Sequence, residues 1–108
     1  MVRSAVMGLV LVLGMAAVAS AQDKAKGEAV FAAQKCSLCH SVAGKGNPKG
    51  PLDDVGSKLK ADEIRAWIMD SKTQYAKSGS TRQPAMKAYA LPKEDVDNLV
   101  AYLVTLKK

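Results

Sequence analysis

Cys36-Ser37-Leu38-Cys39-His40 contains both cysteines and the single histidine of a 108-residue chain. Two thiols one helical turn apart can add to the two vinyl groups of a porphyrin as thioethers. A histidine immediately after them is then held beneath the ring, with an imidazole nitrogen aimed at iron. C-x-x-C-H is the attachment pattern of c-type haem. Other chemistry for these residues is poorly supported. A disulfide between Cys36 and Cys39 would close a very short loop and constrain the unfolded chain little. A redox C-x-x-C belongs in a βαβ setting, and no strand pattern precedes this one. A zinc site would have two thiolates and one imidazole from one pentapeptide, with no distant Cys or His to complete the usual four ligands. One histidine also excludes any mechanism that needs a histidine pair.

If His40 is one axial ligand of iron, the other is found by elimination. Bis-histidine ligation within one chain is excluded, and the thioethers consume both cysteines. Methionine is the common alternative. Of five methionines, Met1, Met7 and Met15 fall in the first twenty-one residues, leaving Met69 and Met86. Met69 ends a helical stretch beside Ile68, where a methionine usually fills a gap in a core. Met86 follows Arg82-Gln83-Pro84-Ala85, and Pro84 opposes helix there. A loop can reach across a flat cofactor, so Met86 is the favoured sulfur. Met69, a lysine or an open sixth position are the alternatives.

The elements that must position these residues follow from the rest of the pattern. Arg3, the apolar run Ala5–Val18 and Ala19-Ser20-Ala21 have the layout of a secretory signal peptide with a small-residue cleavage site. Seventeen residues from Ala5 to Ala21 are at the lower limit for an uncleaved membrane anchor, the rival reading. Residues 1–21 are therefore read as a cleaved leader and 22–108 as the working domain. Loss of Arg3 takes the formal charge from +6 to +5. Helical spacing predicts a first helix over about 23–35 with Gly27, Val30 and Phe31, and a second over about 61–70 with Ile64, Trp67 and Ile68. A last helix starts at Pro92, with Val96, Leu99, Val100, Leu103 and Leu106 on one face. Residues 41–57, with four glycines and two prolines, read as loop. Residues 71–90 read as mostly irregular. No strand pattern or long repeat is evident, so the fold class is all-α with long loops. Five aromatic side chains are few for a core of this size, and a covalent cofactor would supply the missing bulk.

With these residues in place, the chain from 22 to 108 resembles a small monohaem class I c-type cytochrome over essentially its whole length. The resemblance rests on the early C-x-x-C-H, Gly27 and Phe31 before it, Gly50-Pro51-Leu52 after it, Trp67 in a middle helix, Pro84-Ala85-Met86, and the closing Leu99-Val100-Ala101-Tyr102-Leu103. It implies a cytochrome c fold in which the N- and C-terminal helices cross. A middle helix and long loops would wrap one covalent haem c. It also implies that Gly27, Phe31, Leu99 and Tyr102 build that crossing, and that the Pro51 carbonyl accepts from the free ring N–H of His40. Trp67 is either the family tryptophan near a haem propionate or an ordinary buried helix residue. Lys87 departs from the pattern, since many relatives have proline after the methionine.

Two protein ligands leave iron no open position, so the expected function is a one-electron carrier between periplasmic or membrane redox partners, and not an enzyme. Alternatives are a haem enzyme or gas sensor with a labile sixth ligand, or a dedicated electron-transfer subunit of one oxidoreductase. The expected protein is an exported monomer without stable membrane insertion. Lys35, Lys45, Lys49, Arg82 and Lys87 flank the cofactor-binding segments and would suit acidic-faced partners, or else are ordinary solvated surface. Scarce aromatics and dispersed charge argue against a nucleic-acid partner.

Overall fold

Residues 23–108 are described by a computed structural model. The expected leader and its cleavage site lie outside the described residues. The helices are α1 (Lys24–Ala33), α2 (Val55–Lys58), α3 (Ala61–Met69), α4 (Ser71–Ser78) and α5 (Lys93–Leu103). A single 3-10 turn spans Cys36–Leu38, and β1 (Ser41–Val42) pairs antiparallel with β2 (Lys45–Gly46).

Asp23 starts α1 because its carboxylate accepts from Ala25 N at 2.8 Å and Lys26 N at 3.1 Å, satisfying two of the free amides of the first turn. The buried face of α1 carries Gly27 and Phe31 and lies on α5. Gly27 is required there. A Cβ would collide with the Asn98 carbonyl and the Tyr102 side chain, so the two backbones approach only where one residue lacks a side chain. One turn further along, the Phe31 and Tyr102 rings meet edge to face, 5.9 Å apart at an interplanar angle of 67°. That geometry contributes about 0.5–1.5 kcal/mol beyond area burial. Asn98, itself buried, accepts from Asp23 N at 3.1 Å and so ties the start of α1 to the middle of α5.

α3 begins where the Glu63 carboxylate accepts from Lys60 N at 2.9 Å. Its buried residues, Ile64 and Ile68, join Phe31, Val96, Leu99, Val100 and Leu103 in one core. Asp97 of α5 pairs with Arg65 of α3 at 2.7 Å and with Lys93 of its own helix at 2.7 Å. The all-α class and the expected helix pairing are therefore borne out.

The two segments expected to be irregular are partly ordered. In 71–90, the α4 helix runs to Gly79, whose left-handed φ of 68° ends it. Its sequence, SKTQYAKS, has Tyr75 as its one large apolar residue, so no apolar face announces the helix. In 41–57, Ala43 and Gly44 both take positive φ, 53° and 80°, which closes the β1–β2 hairpin. Ala43 N donates to Asp53 Oδ1 at 2.6 Å, and this external partner helps hold a residue that seldom adopts such a turn. Among the described residues, no helix is long and apolar enough to cross a membrane.

Candidate cofactor site

Past α1 the chain turns sharply at Lys35, which is left-handed (φ 57°, ψ 38°). His40 N then donates to the Cys36 carbonyl at 2.9 Å, and Cys39 N to the same carbonyl at 3.2 Å, so the pentapeptide closes on itself as one compact turn. Asn47 fixes the turn from the other side. Its amide N donates to the carbonyls of Ser37 (3.0 Å) and His40 (3.1 Å), and its side chain donates to that of Leu38 (3.1 Å). The glycine-rich loop is thus the bracket of the cysteine turn, a role its composition did not disclose.

Cys36, Cys39 and His40 line one side of a cavity of about 280 Å³ between α1, α3, α5 and the 80–91 segment. Its walls are mainly apolar, with Phe31, Leu52, Ile64, Ile68, Leu99 and Leu103 among them. A void of this size is foreign to ordinary close packing, where gaps larger than a water are few. Both thiols are free. Burial pushes the Cys36 thiol above its usual pKa, the reverse of the activated thiolate of a redox C-x-x-C motif. Among the described residues no three His, Cys, Asp or Glu side chains converge to hold a bare metal ion.

His40 is half-buried, and its Nδ1 lies 3.1 Å from the Gly50 carbonyl. Burial pushes its pKa down, the Gly50 carbonyl pushes the other way, and the Arg82 charge lowers it further. The ring is accordingly neutral at pH 7. With Nδ1–H donated to Gly50, the Nε2 lone pair is the one left for a metal. This acceptor corrects the expectation for Pro51. Ser41 bridges Pro51 in parallel register, with Ser41 N donating to the Gly50 carbonyl at 3.0 Å and Leu52 N to that of Ser41 at 2.8 Å. Carbonyls alternate along extended chain, so Gly50 faces residues 40–41 while Pro51 is exposed and does not line the cavity. Gly50 is buried, and a Cβ would meet the Arg82 guanidinium and the Cys39 carbonyl.

Met86 is half-buried and lines the cavity, whereas Met69 is 50% exposed and does not. Trp67 is half-buried and also lines it. The structure therefore brings Cys36, Cys39, His40, Met86 and Trp67 to one cavity and leaves Pro51 outside. It adds Tyr75, Arg82 and Tyr89 to the walls. Tyr75 and Tyr89 are the two large aromatic residues in the polar stretch 71–90, a signal that could have marked them. Tyr75 Oη donates to the Arg82 carbonyl at 2.7 Å, and the Arg82 guanidinium donates to the Cys39 carbonyl.

An apolar cavity, two free thiols, a neutral imidazole and a thioether form a donor set that fits covalent haem c. No curated protein matches the chain. The family model described as cytochrome c matches residues 24–107.

Proposed function

The chain belongs to the cytochrome c family, haem-binding electron-transfer proteins, and from that premise we propose that it is a one-electron carrier with a single haem c. Cys36 and Cys39 would form the thioethers, and His40 Nε2 and the Met86 sulfur would be the axial ligands. When bound, the haem supplies reversible one-electron chemistry at iron. The observation that carries this reading is that all four residues line one cavity while Met69 is exposed and does not line it.

The chain's own residues account for the behaviour expected of a carrier. Gly50 holds the His40 ring in one tautomer and one orientation. Phe31, Ile64, Ile68, Leu99 and Leu103 exclude water, and an environment poor in water favours the form with less net charge, here the reduced one. Met86 would occupy the remaining axial position and leave none for a substrate. Trp67, on α3, would form part of the wall that holds the cofactor.

Beside Cys39, Leu38 is 69% exposed and lies in a shallow depression with Lys49, Arg82 and Pro84. Lys35, Lys45, Lys49 and Lys87 are exposed around the cofactor-binding segments. An exposed apolar side chain with Lys49 and Arg82 in the same depression suits brief docking of an acidic redox protein, in which charge speeds encounter and little area is buried. The leader-like residues 1–21 support export, with transfer between periplasmic or membrane partners as the setting.

Potentiometric titration of the mature holoprotein, followed by visible spectroscopy, tests the proposal. A single reversible one-electron wave, a low-spin spectrum and methionine ligation are expected. Fast stoichiometric carbon monoxide binding by the native ferrous protein would falsify it in favour of an enzyme or gas sensor. A stable heavier complex on size exclusion of natively purified protein would instead indicate a dedicated subunit.

A further inference from the structure

Met86 sits in a segment with few attachments. Between Gly79 and Leu91, Tyr89 N donates to the Ile68 carbonyl at 2.9 Å and the Arg82 carbonyl accepts from Tyr75 Oη at 2.7 Å. Both bonds run to the α3–α4 side of the cavity. Among the described residues, only one hydrogen bond joins this segment to the loops that carry Cys36, Cys39 and His40. It is the bond from the Arg82 guanidinium to the Cys39 carbonyl, across 43 positions of sequence.

We propose that Arg82 is a positioning residue that fastens the Met86 segment to the histidine-bearing loop, and so sets how firmly the methionine sulfur is held at iron. The inference rests on His40–Met86 ligation and goes beyond it. Three observations converge on this side chain. Its backbone is anchored on α4 through Tyr75, and its amide N donates to Ser80 Oγ at 3.2 Å. Its guanidinium reaches the peptide carbonyl between Cys39 and His40. It also lies against Gly50, whose carbonyl orients the His40 ring and whose missing side chain leaves room for it. One cation thus spans the two walls that must face each other across the cofactor. A charge-assisted bond to a carbonyl is stronger than a neutral one, and a guanidinium can present several donors at once where an ammonium acts as a point charge. The same fixed positive charge beside the histidine loop favours the reduced state, which carries less positive charge on iron.

Ferric holoprotein titrated with imidazole provides the test, since imidazole competes with the sulfur for iron. Arg82→Gln should bind imidazole about tenfold more tightly, equivalent to roughly 1.4 kcal/mol. It should also weaken the methionine–ferric charge-transfer band and lower the midpoint potential, with covalent haem yield and far-ultraviolet circular dichroism unchanged. Arg82→Lys should recover part of the potential and less of the imidazole resistance. In a Met86→Ala background, Arg82→Gln should have no further effect on imidazole affinity, because no sulfur remains to be held. Wild-type affinity in a folded Arg82→Gln protein, or an equal effect with and without Met86, overturns the proposal. If Arg82→Gln yields no holoprotein, Tyr75→Phe carries the test. It should tighten imidazole binding by roughly two- to threefold, the scale of one lost neutral hydrogen bond, and an unchanged affinity overturns the proposal. Absence of the methionine band in the wild type overturns the ligand assignment as well, and this is seen before any variant is compared.

Discussion

The α1–α5 crossing and the 79–91 segment both contribute walls to the cavity but are held in place by different means. The crossing is built by burial: Gly27 against the Asn98 carbonyl, Phe31 against Tyr102, and Val96, Leu99, Val100 and Leu103 all buried. The 79–91 segment has no fully buried residue and hangs on hydrogen bonds at Arg82 and Tyr89. Packing of the first kind is unforgiving, since a change of one methylene is felt. A tether of the second kind can be released locally while the rest stays folded. A carrier needs both: a frame that does not move when an electron arrives, and one ligand whose hold can be tuned.

This contrast orders the expected effects of substitution. The largest is loss of the cofactor. Replacing His40, or Cys36 and Cys39 together, should abolish stable haem incorporation; haem remaining covalently bound after denaturation of these variants would refute the attachment assignment. Next, Phe31→Ala should cost about 3–5 kcal/mol of global stability, the range for truncating a buried aromatic, and Gly27→Ala about 1–3 kcal/mol through overpacking. Denaturant unfolding of the holoproteins measures both, and near-wild-type midpoints would mean that the crossing is not the frame. Met86→Ala should act locally instead. It should lower the potential and open iron to external ligands while global unfolding changes little. Met69→Ala, at an exposed site, should stay within about 0.5 kcal/mol and leave the potential alone; the reverse result identifies the wrong sulfur.

The smallest effect concerns acid. Lys93 above all holds the Asp97 carboxyl below the usual aspartate range; burial opposes it, and Arg65 adds to the lowering. A carboxylate depressed in the folded state stabilises it above the unfolded-state pKa, and that contribution is lost as pH falls through the folded value. Asp97→Asn should therefore lose less stability than the wild type as pH falls through and below the ordinary aspartate range. Equal acid slopes in thermal melts would remove the ion pair from the account. Asp54, held down chiefly by the Lys108 amide, should give part of the remaining slope.

Much of the site was legible because its chemistry is contiguous. Cys36, Cys39 and His40 sit in five residues, and the frame repeats at helical spacing through Gly27, Phe31, Leu99 and Leu103. What stayed hidden depends on partners far along the chain or on backbone direction. Arg82 reads as a surface cation until the Cys39 carbonyl is placed beside it. Ser71–Ser78 carries too little apolar patterning to declare a helix, though Tyr75 anchors it on the cavity. The choice between the Gly50 and Pro51 carbonyls is a matter of which way an extended chain points, and side-chain identity does not encode that. Asn47, whose backbone and side chain brace three carbonyls of the cysteine turn, looked like one more loop residue.

The fit of Gly27 against Asn98 and Tyr102 also has a consequence for the order of events in the life of the chain. α1 leads directly into the cysteine turn, but the surface on which it docks belongs to α5, which is synthesised some sixty residues later. Until α5 is made, α1 lacks the surface against which most of its packing is formed. A chain truncated before Asn98 should accordingly be cut readily by protease between residues 24 and 40, where the full-length holoprotein resists.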